Sequence, residues 1–465
     1  MPPSPIAKLP SELLLHIFTL TRNAHDADLP SYSSTSIFPF FRRRVNPVLA
    51  ISHTCKAWNT LTISTPSLWS SLHLDGEIDE ERASEKAHFW AGRAWRHDAG
   101  GGDTSECAIS TIILTRVQDW TDDYLTYLCD ELELVHHLRL RTAFVSFRGG
   151  GAPDEYRQLQ SVFRFLLSSG PTLASLTLHT SSHLRILFSL PRLGHSFTAL
   201  ESLEICSTKL SSPAADSYLV PAFLPRYNGE PDWAPLASLR RLILIGPVWR
   251  LRFRDGTVAS PTLASSDVPA LRFAHLSSTS PPVHWDLLSH PSLTHLHLED
   301  WFDHRHLADP DLSTSSFSRL TSLSLARAPA LVNRLLNLAL GVPGLVFPAL
   351  EELCLAGASF QQQTQLDLFA GARAPRLRLV DLNRTTDAVK RYDEPALVLP
   401  ALPRVERLVL VRAAWVEPDA LLQLVVHHGG MPRLKVVVSG PELGAKAERG
   451  LRAVGVEVVW EDEEE

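Results

Sequence analysis

"LTHLHL", residues Leu293–Leu298, alternates leucine with histidine and a lead-in threonine, and a third leucine stands three residues ahead of the alternation. Alternation of apolar and variable residues predicts a short strand with one buried face. The same spacing, with Val or Ile allowed, recurs as "ISTIIL" from Ile109, "VHHLRL" from Val135, "LASLTL" from Leu173 and "LESLEI" from Leu200. It continues as "LRRLIL" from Leu239, "LTSLSL" from Leu320, "LEELCL" from Leu350 and "VERLVL" from Val405. "LRFAHL" from Leu271 and "LRLVDL" from Leu377 are weaker copies, and successive copies start 22 to 39 residues apart. A period in that range marks a repeat array, in which each unit buries its apolar face only against its neighbours.

Helical patterns lie between several of these strands: "TDDYLTYLCDEL" after Asp119-Trp120, "YRQLQSVFRFLLSS" from Tyr156, "LVNRLLNLAL" from Leu331 and "PDALLQLVVHH" from Pro418. Strand followed by helix, repeated, predicts a solenoid whose parallel strands line a wall. A last cycle of "LKVVV", "PELGAKAERGLRAV" and "VEVVW" leads into "EDEEE", read as a solvated acidic tail. This region resembles leucine-rich-repeat domains. It departs from their regular pattern where they carry Asn or Cys eight residues after the first leucine: Ser181, Thr208, Trp301, Ala328 and Ala358 stand there. The repeats are therefore irregular, and 210–235, rich in Pro and Ser, reads as a long loop.

Ahead of the repeats stands "LPSELLLHIFTL", residues 9–20. Pro10 suits the first helical turn, where a missing N–H costs nothing, and Glu12 suits the positive end of the helix dipole. Leu13 with Ile17 and Leu14 with Phe18 are i,i+4 pairs on two adjoining flanks, more apolar surface than one contact needs. "PVLAISHTCKAWNTLTI" continues helical spacing through Val48, Ile51, Cys55, Trp58 and Leu61, and "STPSLWSSLHL" breaks it at Pro66. So few small helices cannot cover two apolar flanks alone.

The residues Leu9-Pro10, Glu12-Leu13-Leu14, Ile17-Phe18, Cys55, Trp58 and Leu68-Trp69 resemble the F-box, a three-helix module that docks on the Skp-type adaptor of cullin-based ubiquitin ligases. The resemblance covers about a sixth of the chain. It implies that Leu9, Pro10, Leu13, Leu14, Ile17 and Phe18 lie on or near the adaptor-facing surface, and that Cys55, Trp58, Leu68 and Trp69 organise the module's packing. A Ser-, Pro- and Asp-containing insert at about 22–46 separates the first two helical patterns, as is familiar in fungal F-box proteins; a fold tolerates such loops at small entropic cost.

The expected architecture is α+β: an F-box over 1–75, a connecting helix and glycine loop over 76–104, and an irregular leucine-rich-repeat-like solenoid over 105–465 with a parallel strand wall. The connecting helix, Glu77–His97, is expected to pack Phe89, Trp90 and Trp95 on the first repeat.

Composition narrows the function. A 45% hydrophobic, 20% charged chain has ordinary globular material for a core,. A net charge of −7 argues against holding nucleic acid by phosphate attraction,. Cys55, Cys107, Cys129, Cys206 and Cys354 are odd in number with no CxxC pair, so neither a disulfide framework nor a zinc knuckle is expected, and a reducing compartment fits,. "LLNLALGVPGLVFPAL" from Leu335 is too short and too interrupted for a membrane span,. The expected location is cytoplasmic, nuclear or both, with no membrane and no nucleic-acid partner.

No glycine loop has a phosphate-cradling context and no GxSxG elbow occurs. One polar cluster, His295, His297, Asp300, Asp303, His304 and His306, has metal-ligand residue types,. Because His295 and His297 occupy variable positions of a repeat strand, the expectation is no metal and no cofactor; a metal-dependent enzyme at residues 295–306 is the lesser alternative. The residues between the leucines form a candidate wall for a protein substrate: His137, Arg139, Arg141, Glu204, Arg241, His295, His297, Glu299, Trp301, Glu352, Asp381 and Arg407. Together with the F-box resemblance, this points to a non-catalytic substrate-recognition adaptor of a ubiquitin ligase, partnered by a Skp-type adaptor, through it a cullin, and an unidentified protein substrate. A scaffold of the same build without substrate turnover is the alternative.

Overall fold

The computed structural model describes residues 9–27, 47–95, 107–134, 138–147, 155–180, 197–207, 236–245, 251–252, 258–259, 268–277, 290–299, 319–326, 349–356, 376–380, 407–411, 435–439, 449, 452–453 and 457–460. It divides into two compact units, 1–182 with 196–200, and 183–195 with 201–465. The N-terminal part is helical and both units carry parallel sheet, an α+β arrangement. No helix among the described residues is long and apolar enough to cross a membrane.

The first unit opens with helix α1 (Ser11–Ala27), then α2 (Pro47–Ser52) and α3 (Lys56–Ile63). Helix α1 runs through Ala27, into the stretch expected as loop from residue 22. The single pattern expected over 47–63 is two helices. Backbone bonds of His53 to Leu49 and Thr54 to Ile51 close α2, and Cys55, extended at φ −160°, starts α3 afresh. A 3-10 turn at Pro66–Trp69 follows, led by the fixed φ of Pro66,. It delivers strand β1 (Ser71–Asp75), which pairs in parallel with β2 (Thr111–Thr115). The repeat sheet thus begins inside the span expected for the helical module, because "WSSLHL" from Trp69 is itself a copy of the repeat.

Between β1 and β2 lies α4 (Glu80–Ala94), capped by the Asp79 carboxylate, which accepts from the Arg82 backbone N–H,. Ala83, Ala87, Ala91 and Ala94 are all buried, so a smooth alanine face lets the helix approach closely. Trp90 meets Trp69 edge to face, ring centres 4.9 Å apart, while Phe89 stays 46% exposed. Helix α5 (Asp122–Leu134), strand β3 (Thr142–Ser146), helix α6 (Glu155–Ser168) and strand β4 (Ser175–Thr180) complete the alternation, with β2, β3 and β4 parallel in that order.

Strand β3 corrects a register. "VHHLRL" was expected to be the strand, yet pairing begins at Thr142. The repeat there is Leu140, Ala143 and Val145, all within 1% of complete burial. Apolar residues resume after Leu140 at Ala143 and Val145, so Leu140 can close one copy of the spacing or open the next,.

The second unit carries β5 (Ser202–Ser207), β6 (Arg241–Ile245), β9 (Phe273–Ser277), β10 (His295–Glu299), β11 (Ser322–Ala326), β12 (Glu352–Ala356), β13 (Arg376–Val380), β14 (Arg407–Val411), β15 (Lys435–Ser439) and β16 (Glu457–Trp460), each parallel to the next. A small antiparallel pair, β7 (Leu251–Arg252) with β8 (Val258–Ala259), lies between β6 and β9 in sequence. "LRLVDL" is corrected likewise: Leu377 and Leu379 stand opposite Leu353 and Leu355, so Leu377 takes the fourth position of the repeat and not the first.

Backbone bonding repeats with the strands. In the second unit, the carbonyls of Glu201, Arg240, Arg272, Thr294 and Thr321 each accept two successive N–H groups from the next repeat, Arg240/Arg241, Arg272/Phe273, Thr294/His295, Thr321/Ser322 and Glu351/Glu352. Leu239, Leu271 and Leu293 donate back to Leu236, Val268 and His290, which are themselves buried, so the motif extends to nine residues with a turn in front,. The leucines at the first, fourth and sixth positions are at most 4% exposed in these repeats, each contributing about 1.5–3 kcal/mol on burial,.

Candidate functional site

Helix α1 separates its apolar residues cleanly. Leu14 (8% exposed) and Phe18 (2%) point into the first unit, where Phe18 meets Trp58 edge to face at 5.1 Å. Leu13, Ile17 and Leu20 are 51%, 45% and 54% exposed. Their i, i+4, i+7 spacing makes one continuous apolar stripe facing solvent. Pro10 is exposed and Leu9 partly so, at the stripe's N-terminal end. Of the six residues expected on the adaptor-facing surface, Leu14 and Phe18 are therefore core residues, because consecutive helix positions are turned about 100° apart and 14 and 18 fall on the buried flank,. Leu20, missing from that expectation, completes the stripe and was findable by extending it one more turn.

The packing set divides too. Leu68 and Trp69 are 1% exposed, and the Trp69 indole N–H donates to the Thr62 carbonyl at 2.9 Å. Arg22 donates to the Ser67 carbonyl and to Ser70 Oγ, tying the far end of α1 to the same turn. Cys55, in contrast, is exposed at the N-cap of α3, where the broken helix turns it outward.

The strand wall was expected from twelve residues. Arg139 and Arg141 are exposed but precede β3, a consequence of the register correction. Glu204 is 7% exposed and accepts from Cys206 Sγ at 3.8 Å; burial and this carboxylate push the Cys206 thiol up. It is not available to a partner as the protein stands. Arg241 sits over the Phe273 ring at 4.9 Å, and Phe273 in turn lies 6.2 Å from the exposed His295 ring. Glu352 is exposed. Arg407 occupies the first position of β14, in register with Arg376. His137, Trp301 and Asp381 lie outside the described residues, as do Asp300, Asp303, His304 and His306.

The histidine cluster is rearranged. His295 and His297 share a side of β10, but the ring nearest to His297 is His275 of the neighbouring strand, 4.0 Å between centres. Residues two apart on a strand are separated by roughly 6.6 Å, whereas adjacent strands lie about 4.8 Å apart, so the cross-strand partner wins. His275 Nε2 stands 3.4 Å from Glu299 Oε2. Burial, with His275 adding to it and Glu299 opposing, pushes His297 down to about 4, so its ring is neutral at pH 7,.

The family model described as F-box-like matches residues 6–75. That stretch contains α1, α2, α3, the 3-10 turn and β1, and the match supports an F-box protein, the class of domain that generally binds Skp-type adaptors. No curated protein matches the chain.

Proposed function

We propose that this chain is a non-catalytic substrate-recognition adaptor of a cullin-based, SCF-type ubiquitin ligase. Its N-terminal helices dock on a Skp-type adaptor, and its leucine-rich-repeat-like strands present a protein target. The observation that carries the reading is the solvent-facing stripe Leu13, Ile17 and Leu20 on a helix whose adjoining flank is already buried, within the stretch that matches the F-box-like model. Exposed contiguous apolar side chains on a well-packed helix mark an interaction site.

Magnitude shapes the docking surface. The three stripe residues are already half covered, so burying the remainder yields on the order of 1 kcal/mol each. Association costs about 4–15 kcal/mol, so the stripe alone does not hold the adaptor. Leu9, Pro10 and the exposed surface of α2 and α3 must contribute to the same interface. The contribution to ubiquitin transfer is proximity, raising the effective concentration of a substrate lysine near the ligase-bound donor.

Purification of the full-length chain with a Skp-type adaptor tests the first half, with a stoichiometric complex expected. Deletion of the chain from its cell tests the second: a substrate receptor leaves a partner that accumulates, whereas a scaffold leaves none.

A further inference from the structure

The outward side of β9 and β10 holds two imidazoles and a carboxylate at one place. His275 lies opposite His297 in the strand register, and Glu299 follows two residues after His297 on the same side. One ligand atom from each of the three lies within 4.8 Å of the other two, and all three residues are partly buried. Two imidazoles with one carboxylate are a donor set that borderline divalent ions take, and an oxygen-only ion does not favour.

The dimensions agree with a small tetrahedral ion. Zinc–nitrogen and zinc–oxygen bonds of about 2.0–2.2 Å give a tetrahedral ligand–ligand edge of about 3.3–3.5 Å. The His275 Nε2 to Glu299 Oε2 separation is 3.4 Å, already that edge. The other two ligand-atom separations are at most 4.8 Å. The His275 side chain is 13% exposed and that of Glu299 26%, which leaves an entry path while limiting hydration. On the other side of β10, His297 stands in register with Ser324, a small residue.

We infer that His275, His297 and Glu299 form a site for one divalent cation of the zinc class, held by three protein ligands with a fourth position open on the strand wall. The open position takes water in the free protein and a nitrogen, oxygen or sulfur ligand from a bound partner. This site belongs to the second unit, whereas the adaptor-docking helix belongs to the first.

The test uses the full-length chain stripped by chelation and titrated with Co²⁺, followed by competition with Zn²⁺. The expected result is one saturable equivalent per chain with the visible absorption of a tetrahedral N/O site, displaced by Zn²⁺. His275→Gln and His297→Gln abolish the band, Glu299→Gln weakens Co²⁺ binding by about tenfold or more, and His295→Gln leaves it unchanged. Circular dichroism accompanies each variant. Should an imidazole variant fail to fold, the near-isosteric Glu299→Gln still decides. Absence of a saturable equivalent, or a band that survives all three ligand substitutions, overturns the assignment; so does equal loss in His295→Gln, which would place binding elsewhere among the 20 histidines.

Discussion

Helix α1 and strand β10 both present side chains to solvent, and they differ in what solvent exposure means. On α1 the exposed residues are Leu13, Ile17 and Leu20, and water gains nothing from them. On β10 the outward residues are His295, His297 and Glu299, of which His295 is exposed and the other two are partly buried. Apolar exposure on a short helix therefore speaks of a partner by itself, whereas polar exposure on a repeat strand speaks only through geometry: which side chains the register brings together. The helix carries its message in residue type, the wall in alignment.

The sharpest way to break this comparison is to exchange the two flanks of α1. Phe18→Ala empties a buried site against Trp58 and should cost about 3–5 kcal/mol, read as a fall in the denaturation midpoint of the full chain,. Leu20→Ser, on the outer flank, should change stability by no more than about 0.5 kcal/mol. Equal losses would mean that the stripe is covered by the chain itself.

A smaller effect tests whether the helical module and the sheet are one folded unit. Gly76 ends β1, and a Cβ there would lie 2.1 Å from the Arg116 carbonyl oxygen. Gly76→Ala should therefore destabilise the first unit by about 1–3 kcal/mol through forced backbone movement. Its thermal unfolding should carry the α1 signal along with the β-sheet signal. Arg116 adds a fork over the same corner, Nε and Nη2 to Asp75 at 2.8 and 2.6 Å, with Nη1 reaching Glu77. Arg116→Ala should cost about 1–2 kcal/mol, since these charge-assisted bonds are only partly exposed.

The wall yields a different readout, a pH dependence in metal-free protein. Folding holds His297 neutral down to about 4, while the unfolded ring takes up its proton near 6.5. Between those values the unfolded chain binds more protons, so stability falls as pH drops from about 6.5 to about 4. His297→Gln should flatten that slope in chemical denaturation series, whereas His295→Gln should not.

Much of this was legible in the sequence, for reasons that differ by element. Helices α4, α5 and α6 announced themselves through helical periodicity, and most strands through the leucine spacing. Both strands read in the wrong register, β3 and β13, lie where apolar residues run on past one copy with a change of phase, so that two offsets satisfy the leucine spacing. The division of α1 into flanks was visible, but assigning Leu14 and Phe18 to the inner one required knowing where Trp58 lies. His275 escaped notice because its strand, "LRFAHL", has Ala274 in place of a leucine; only cross-strand register sets it beside His297.

The central claim rests on the outer flank of α1, and one binding measurement tests it most directly. Titration of the full-length chain with a Skp-type adaptor is compared with the Leu13→Asp/Ile17→Asp variant, each checked for an unchanged denaturation midpoint. Loss of affinity by about a hundredfold or more, with stability intact, is the predicted result. Undiminished binding by the folded double variant would contradict the account and take the docking surface away from this helix.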